Sequence, residues 1–298
     1  KNMLNVNRYE DNRGSKNATK ILNNALTHLT MTYPGFISEK EIKPINEIVD
    51  LIKNLNRAGT LSFTISMLSN INANVKNLLT MEAWRIYEKM QKEWFSYIKR
   101  VNLTNREHIS QLDNLLIYLM AYKELIDESI FKEQGLILYD IGCKMEISQL
   151  LISKLRSLLT YKLDPILEYD ILDSMLNSYE SYNSYRAYYQ SSLSLRNVLE
   201  FLLFNPKYPK SLIYLLEDLG INLKELPKNK DEQHLSSYEE PIFKAFSMLK
   251  LSSTDKLLTT EDDNFIYTQM DEMLSKISEL ITKSAEELTN TYFSHNNE

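Results

Sequence analysis

Cysteine and the residues of tight turns are scarce in this sequence. Its 298 residues include 6 glycines, 7 prolines and one cysteine, Cys143. Glycine and proline provide most sharp turns, and no Asn-Gly, Asp-Gly or Gly-Gly pair is present to close a β-hairpin. We therefore predict an all-α fold. A lone cysteine also excludes an intramolecular disulfide and a thiolate metal site.

Long apolar runs and an excess of positive charge are missing too. No stretch approaches the ~18 apolar residues of a membrane-spanning helix, and the first residues are not followed by the apolar core of a signal peptide. We therefore expect no membrane interaction and, with a single cysteine, a cytoplasmic location. The formal net charge of −6 argues against binding to nucleic acid.

Motifs for metal or nucleotide chemistry are also absent. Neither GxxxxGK nor GxGxxG can be written with the glycines present. The histidines lie far apart, and none has a second ligand at metal-binding spacing on its helix: His28, His108, His234 and His295. We therefore expect no metal and no cofactor.

A helical period is what the sequence does contain. Apolar residues recur at spacings of three and four along most of the chain, which is typical of amphipathic helices. The predicted helices are residues 17–31, a helix from Ser38 (with a Ser-x-x-Glu capping box), 61–79, 80–100, 109–126, 131–159, 166–189, 193–204, 211–219, 239–249 and 262–293. We predict a multi-helix bundle, a single helical domain over residues 1–298.

Two segments half a chain apart resemble each other. Residues 49–62 (VDLIKNLNRAGTLS) and 198–211 (VLEFLLFNPKYPKS) align without gaps at a spacing of 149 residues (198 − 49). Each reads as a helix, a break with asparagine, and a serine that caps the next helix, Ser62 or Ser211. This similarity predicts an internal duplication with halves of roughly 1–135 and 136–298.

Three side chains of residues 179–189 fall on one helical face. Tyr182, Arg186 and Tyr189 are spaced by four and three residues. Aromatic rings and a guanidinium group can line a polar pocket, so these three are the candidate substrate-binding residues. The alternative is that the tyrosines pack on the helix surface with solvated hydroxyls.

Glu146 is the candidate catalytic residue. It lies between Met145 and Leu150 in an apolar stretch of a predicted helix. A carboxylate in apolar surroundings needs a cationic partner, or its pKa rises. The alternative is a structural ion pair with an arginine or lysine of another helix.

Several segments resemble motifs of a known family, the bacterial alpha-E domain proteins. They are Asn7-Arg8-Tyr9 with Arg13, residues 75–84 (VKNLLTMEAW), residues 142–147 (GCKMEI), Tyr185-Arg186 and residues 198–211. The last, which is similar to the family's Glu-Phe-Leu-Leu…Phe-Pro-Arg-Ser signature, is the most specific. Family arginines are replaced at Ala73, Cys143 and Ile147 and become lysine at Lys76 and Lys210, so the sequence resembles a divergent member of the family.

The resemblance implies an all-helical bacterial protein whose genes neighbour, or are fused to, those of circularly permuted ATP-grasp ligases. Our first hypothesis is therefore a helical accessory protein that binds such a ligase as its partner in an amide- or peptide-ligase system. Self-association to a homo-oligomer stays open. The alternative is an enzyme acting on a small peptide-like or carboxylate substrate between helices. Arg186 would then hold the carboxylate and Glu146 would exchange a proton.

Overall fold

The computed structural model describes residues 13–38, 43–129, 134–190, 192–227, 234–259 and 266–293. Within these residues all regular structure is helical, apart from one isolated antiparallel bridge between Tyr161 and Ile266. The prediction of an all-α fold is confirmed. The chain divides into two compact units, residues 1–131 and 132–298. The predicted single domain and the predicted duplication stay predictions.

The described residues of the first unit form five α-helices. They are α1 (Arg13–Thr30), α2 (Pro44–Lys53), α3 (Leu61–Asn74), α4 (Met81–Ile98) and α5 (Asn105–Ser129). α4 and α5 pack along each other. The core between and around them is rich in aromatic side chains, because it buries Tyr87, Met90, Trp94, Tyr97 and Tyr122.

The second unit has a more aliphatic core. Its helices are α6 (Gln134–Leu159), α7 (Pro165–Ser178), α8 (Tyr182–Tyr189), α9 (Leu195–Leu199), α10 (Leu212–Glu225), α11 (Glu239–Lys250), α12 (Thr254–Leu257) and α13 (Thr268–Tyr292). α9 continues directly as a π-helical turn, Glu200–Phe204. Helices α6 and α11 each pack against α10 and α13. Together they bury Leu151, Leu155, Leu216, Leu219 and Ile277.

One predicted helix is wrong. Residues 166–189 form two helices, α7 and α8, because Glu180 adopts a left-handed backbone conformation with φ of 53°. The N–H of Ser181 then turns back to the carbonyl of Leu176 at 3.0 Å, which ends α7. Neither glycine nor proline marks this break in the sequence. The helix predicted from Ser38 begins later, at Pro44, and its N-cap is Lys43. Residues 39–42, which complete the predicted capping box, and the predicted start at residue 262 lie outside the described residues.

The same helix–turn–helix segment occurs in both units. In the first unit α2 leads through residues 54–60, here called turn 1, into α3. In the second unit α9 and its π-helical turn lead through residues 205–211, called turn 2, into α10. The four helix boundaries of the first segment recur 151 residues later in the second segment, since 195 − 44, 204 − 53, 212 − 61 and 225 − 74 are equal. The predicted spacing of 149 is therefore wrong by two residues.

Candidate functional site

Turn 1 is closed by the side chains of Asn54 and Thr60. The amide oxygen of Asn54 accepts a hydrogen bond from the backbone N–H of Asn56 at 2.9 Å. The hydroxyl of Thr60 donates to the backbone carbonyl of Asn54. These bonds satisfy backbone groups that would otherwise be left open where the chain leaves α2.

Turn 2 repeats these bonds at equivalent positions. The amide oxygen of Asn205 accepts from the backbone N–H of Lys207, again at 2.9 Å. The hydroxyl of Ser211 donates to the carbonyl of Asn205 at 2.6 Å. The two turns therefore share one architecture, although only the asparagine is identical among these residues.

Thr60 and Ser211 also cap the helices that follow. The Thr60 hydroxyl accepts from the N–H of Phe63 at 3.4 Å, and the Ser211 hydroxyl accepts from the N–H of Tyr214 at 3.3 Å. The predicted cap at Ser211 is confirmed. The predicted cap at Ser62 is wrong, because Thr60 occupies that position. The buried hydroxyl of Ser62 instead donates to a carbonyl of α2.

The cation of turn 1 is neutralised within its own unit. The guanidinium of Arg57 lies 2.7 Å from the Asp50 carboxylate and 2.9 Å from that of Glu47. It also donates to the carbonyl of Thr32. Arg57 is therefore a structural cation that ties turn 1 to α2 and to the residues after α1.

Gly59 brings turn 1 close to the end of α1. Its φ of +86° is left-handed, and a Cβ there would lie 1.9 Å from the carbonyl oxygen of Thr30. Only glycine accepts this combination of backbone angle and close approach. The backbone of turn 1 at Gly59 thus packs directly against the backbone of Thr30 at the end of α1.

Turn 2 carries Lys210 where turn 1 has Gly59, since 210 − 59 is also 151. The ammonium of Lys210 donates to the backbone carbonyl of Tyr179, just after the end of α7, at 3.0 Å. Lys210 is otherwise exposed. A charged side chain in turn 2 therefore replaces the backbone contact of turn 1.

A second lysine contacts the ring of Tyr179. The ammonium of Lys154, on α6, is 4.1 Å from the centroid of the Tyr179 ring, and it donates to the hydroxyl of Ser178 at 3.2 Å. Lys154, Tyr179 and Lys210 are called the lysine cluster below. Neither lysine forms an ion pair with any residue that the structure describes.

The pKa values of Lys154 and Tyr179 in the lysine cluster are both shifted from their ordinary values. Burial, and then the charge of Lys210, lowers the pKa of Lys154 to about 8. Burial, and then the neighbouring Tyr208 hydroxyl, raises the pKa of Tyr179. The Tyr179 hydroxyl is shielded from solvent and has no hydrogen-bond partner among the described residues. Among the described residues, the cluster therefore holds two cations and one unsatisfied hydroxyl without a compensating anion.

Turn 2 is fixed beside the cluster by aromatic packing. The ring of Tyr208 stacks on Phe201 of the π-helical turn, with centroids 4.1 Å apart. π-Helical turns are frequent next to functional sites. The position of Lys210, two residues later, is thus set by rigid neighbours.

The predicted site residues of α8 separate into two groups. The guanidinium of Arg186 lies 5.9 Å from the centroid of the Tyr182 ring on the outer face of α8. Tyr189 instead stacks on buried Tyr185, with ring centroids 5.0 Å apart, and meets Phe201 edge-on. Burial, and then the nearby charge of Glu200, raises the pKa of Tyr189 to about 12. The structure thus brings together Tyr182 and Arg186 but not Tyr189.

Glu146 is exposed on α6, although its neighbour Met145 is buried. The apolar surroundings predicted for this carboxylate are therefore wrong. Among the described residues, no hydrogen bond, ion pair or ring contact links Glu146 to the candidate residues of α8. Its catalytic role stays a prediction.

A buried histidine was not singled out by the sequence. The hydroxyl of Tyr97 is hydrogen-bonded to Nδ1 of His108 at 2.5 Å, and the ammonium of Lys53 lies 4.7 Å from the Tyr97 ring centroid. Burial, and then the charge of Lys53, lowers the pKa of His108. Lys53 also donates to the carbonyl of Arg100. Because these groups satisfy one another, they connect α2, α4 and α5 structurally.

An apolar face is exposed on α5 of the first unit. Ile117 and Met120 are each 63% exposed, and Leu116 beside them is 42% exposed. Spacings of one, three and four residues place the three on one side of the helix. We call them the α5 face.

The described ranges contain neither a metal-ligand cluster nor a membrane-spanning helix. No group of three or more histidine, cysteine, aspartate or glutamate side chains there is placed to hold a metal ion. No helix in the described part of the chain combines the length and hydropathy needed to cross a bilayer.

The sequence profile of Alpha-E, described as a predicted α-helical domain with a conserved ER motif, matches residues 3–293. The chain belongs to the Alpha-E family. The match spans both units and confirms the resemblance noted from the motifs. No Glu-Arg pair occurs in this Alpha-E chain, however. At the predicted equivalent of the motif stand Glu146 and Ile147, which are both exposed.

Similar curated proteins are uncharacterized. One from Mycobacterium bovis and two from strains of Mycobacterium tuberculosis are 29% identical to this Alpha-E chain over 164 residues. The match covers 55% of the chain and only 18% of each relative. No solved structure is significantly similar.

Proposed function

We propose that this Alpha-E protein is a helical accessory protein that binds a circularly permuted ATP-grasp ligase through the α5 face. The exposed α5 face carries the proposal, because apolar side chains grouped on one side of a helix are typical of partner-binding surfaces. The family resemblance supplies the class of partner.

The size of the relatives supports an accessory role. In each of them the matched region is 18% of a longer chain, so related sequence is joined there to other polypeptide. A surface that contacts a neighbouring domain in one protein can contact a separate chain in another. The partner of the α5 face is accordingly either a separate ligase subunit or a ligase domain of the same polypeptide.

The alternative of an enzyme built on Arg186 and Glu146 has less support. Arg186 and Tyr182 lie together, but Tyr189 packs in a different aromatic group and Glu146 is exposed on another helix. These side chains do not form one site among the described residues.

The test is affinity capture of the tagged protein from its own organism, with mass spectrometry of what is retained. The double variant Ile117→Glu/Met120→Glu places two charges on the α5 face. We expect the wild type to retain an ATP-grasp ligase and the double variant to lose it, because burying unpaired carboxylates in an interface is unfavourable.

Phe243→Glu is the matched control, since Phe243 is an equally exposed apolar residue, 58%, on α11 of the other unit. It should retain the ligase. Capture without an ATP-grasp ligase, or equal recovery with the α5-face variant, contradicts the proposal.

A further inference from the structure

The lysine cluster places two positive charges at Tyr179, with no anion beside them in the part of the chain that the structure describes. Lys154 and Lys210 both contact Tyr179, one at the face of its ring and the other at its carbonyl. Like charges at this range repel, and burial of Lys154 adds to the cost of its charge. A bound negative group would relieve both costs by favouring the charged ammonium groups.

The fold of turn 2 does not require this lysine. Turn 1 makes the same hydrogen bonds with Gly59 at the equivalent position. Lys210 is therefore an addition to an architecture that closes without it. Its ammonium is held by the carbonyl of Tyr179, and the stacking of Tyr208 on Phe201 fixes the loop that carries it.

We propose that Lys154 and Lys210 bind a small anionic group, a carboxylate or a phosphate, which enters past the exposed Lys210 and lies against Tyr179. Two ammonium groups provide up to six donors, of which the described residues accept two, through the Ser178 hydroxyl and the Tyr179 carbonyl. The remaining donors suit the oxygens of one anion. The unsatisfied Tyr179 hydroxyl adds polar character to the same region.

The site is separate from the α5 face and from the residues of α8 that the sequence singled out. It is formed by α6, the end of α7 and turn 2, all within the second unit. The inference therefore does not depend on the proposed ligase partner, and it can be tested with the isolated chain.

The test follows the side-chain signals of the full chain labelled with ¹³C-lysine. The Lys154 signal is assigned by its absence in Lys154→Met. Sodium phosphate and sodium acetate are titrated separately, with sodium chloride holding the ionic strength constant. We expect a saturable shift of the Lys154 signal and a rise of its pKa from about 8, because a bound anion favours the charged ammonium.

The anion that produces the shift identifies the ligand class. A response to phosphate alone indicates a phosphoryl group, and a response to acetate alone indicates a carboxylate. Calorimetric titration of Lys210→Gln should show affinity weakened about tenfold, as expected for loss of one charge-assisted hydrogen bond. Lys154→Met should bind neither anion.

Lys207→Gln is the matched control, because it removes the same charge from the same turn. Only the backbone N–H of Lys207 is used in turn 2, so its affinity should equal that of the wild type. The proposal is overturned if neither anion moves the Lys154 signal at about 100 mM, far above the range expected for two charge-assisted bonds. Equal weakening by Lys207→Gln and Lys210→Gln also overturns it.

Discussion

Turn 1 and turn 2 are closed by the same hydrogen bonds, but their charged side chains contact different groups. Both close through an asparagine and a hydroxyl residue, and both cap a helix of 14 residues. Turn 1 has its cation, Arg57, paired with two carboxylates and its glycine pressed against a carbonyl. Turn 2 has Lys210, which contacts the carbonyl of Tyr179 and whose charge lowers the pKa of Lys154. The charge of turn 1 is therefore neutralised by carboxylates of α2, whereas the charge of Lys210 in turn 2 is available to a ligand.

The largest effect is expected at Gly59. Gly59→Ala forces a Cβ to within 1.9 Å of the Thr30 carbonyl at a φ of +86°, so the first unit should lose about 3 kcal/mol of unfolding free energy. Both tryptophans, Trp84 and Trp94, lie in this unit. Urea unfolding followed by tryptophan fluorescence therefore measures it selectively.

Gly220→Ala is the control for that substitution. Gly220 lies within α10, and nothing is within 4 Å of its added Cβ. Alanine should stabilise this helix by up to about 1 kcal/mol, as measured by circular dichroism. A tolerated Gly59→Ala would show that turn 1 can move away from the Thr30 carbonyl at little cost.

The next largest difference in unfolding free energy between the two turns is expected when the cation of each turn is replaced. The side chains of Arg57 and Glu47 are only 24% and 10% exposed, so Arg57→Met leaves poorly solvated carboxylates unpaired. We expect a loss of about 2 kcal/mol, less than for a fully buried pair. Lys210→Met should stay within about 0.5 kcal/mol of the wild type. Similar losses in urea unfolding would remove the distinction between a structural and an available cation.

Lys154→Met should stabilise the second unit at pH 7. The pKa of Lys154 is lowered from its ordinary 10.5 to about 8, so the unfolded state binds more protons between these values. Wild-type stability therefore rises with pH across this window. The variant should be more stable by about 1 kcal/mol at pH 7, after allowance for partial solvent screening.

That gain should shrink as the pH approaches 10.5, where Lys154 is neutral in both states. Circular dichroism melts at pH 7, 9 and 10 measure the trend. A gain that does not change with pH would mean that methionine packs better and that the charge of Lys154 is not the cause.

The smallest effects concern the caps. Thr60→Ala and Ser211→Ala should each cost about 1 kcal/mol, whereas the exchanges Thr60→Ser and Ser211→Thr should stay within about 0.5 kcal/mol. Hydrogen exchange of α3 and α10 localises each loss. A large penalty for either exchange would show that the two turns differ more than their hydrogen bonds suggest.

Periodicity made the fold predictable. Apolar spacing of three and four residues located most helices, and the serine before α10 marked its start. The break at Glu180 was missed because it depends on a left-handed backbone at a residue that is neither glycine nor asparagine. The offset of 149 was misjudged because the alignment paired Ser62 with Ser211. The hydroxyl equivalent to Ser211 is that of Thr60.

The lysine cluster was harder to predict. Lys154 lies on a long helix, where a lysine ordinarily extends into solvent, and its partner Tyr179 belongs to another element. Lys210 was noted only because it replaces a family arginine. Sequence spacing along one helix can indicate a shared face, but it does not reveal which elements meet in the fold.

The recurrence of helix boundaries after 151 residues gives turn 2 a structural counterpart within the same chain. If the two segments descend from one ancestral copy, one copy could go on supporting the architecture while the other was free to diverge. Each residue of turn 2 can then be compared with the equivalent residue of turn 1. At the equivalent position, the first copy would have kept Gly59, which packs against the Thr30 carbonyl, and the second would have acquired the exposed Lys210.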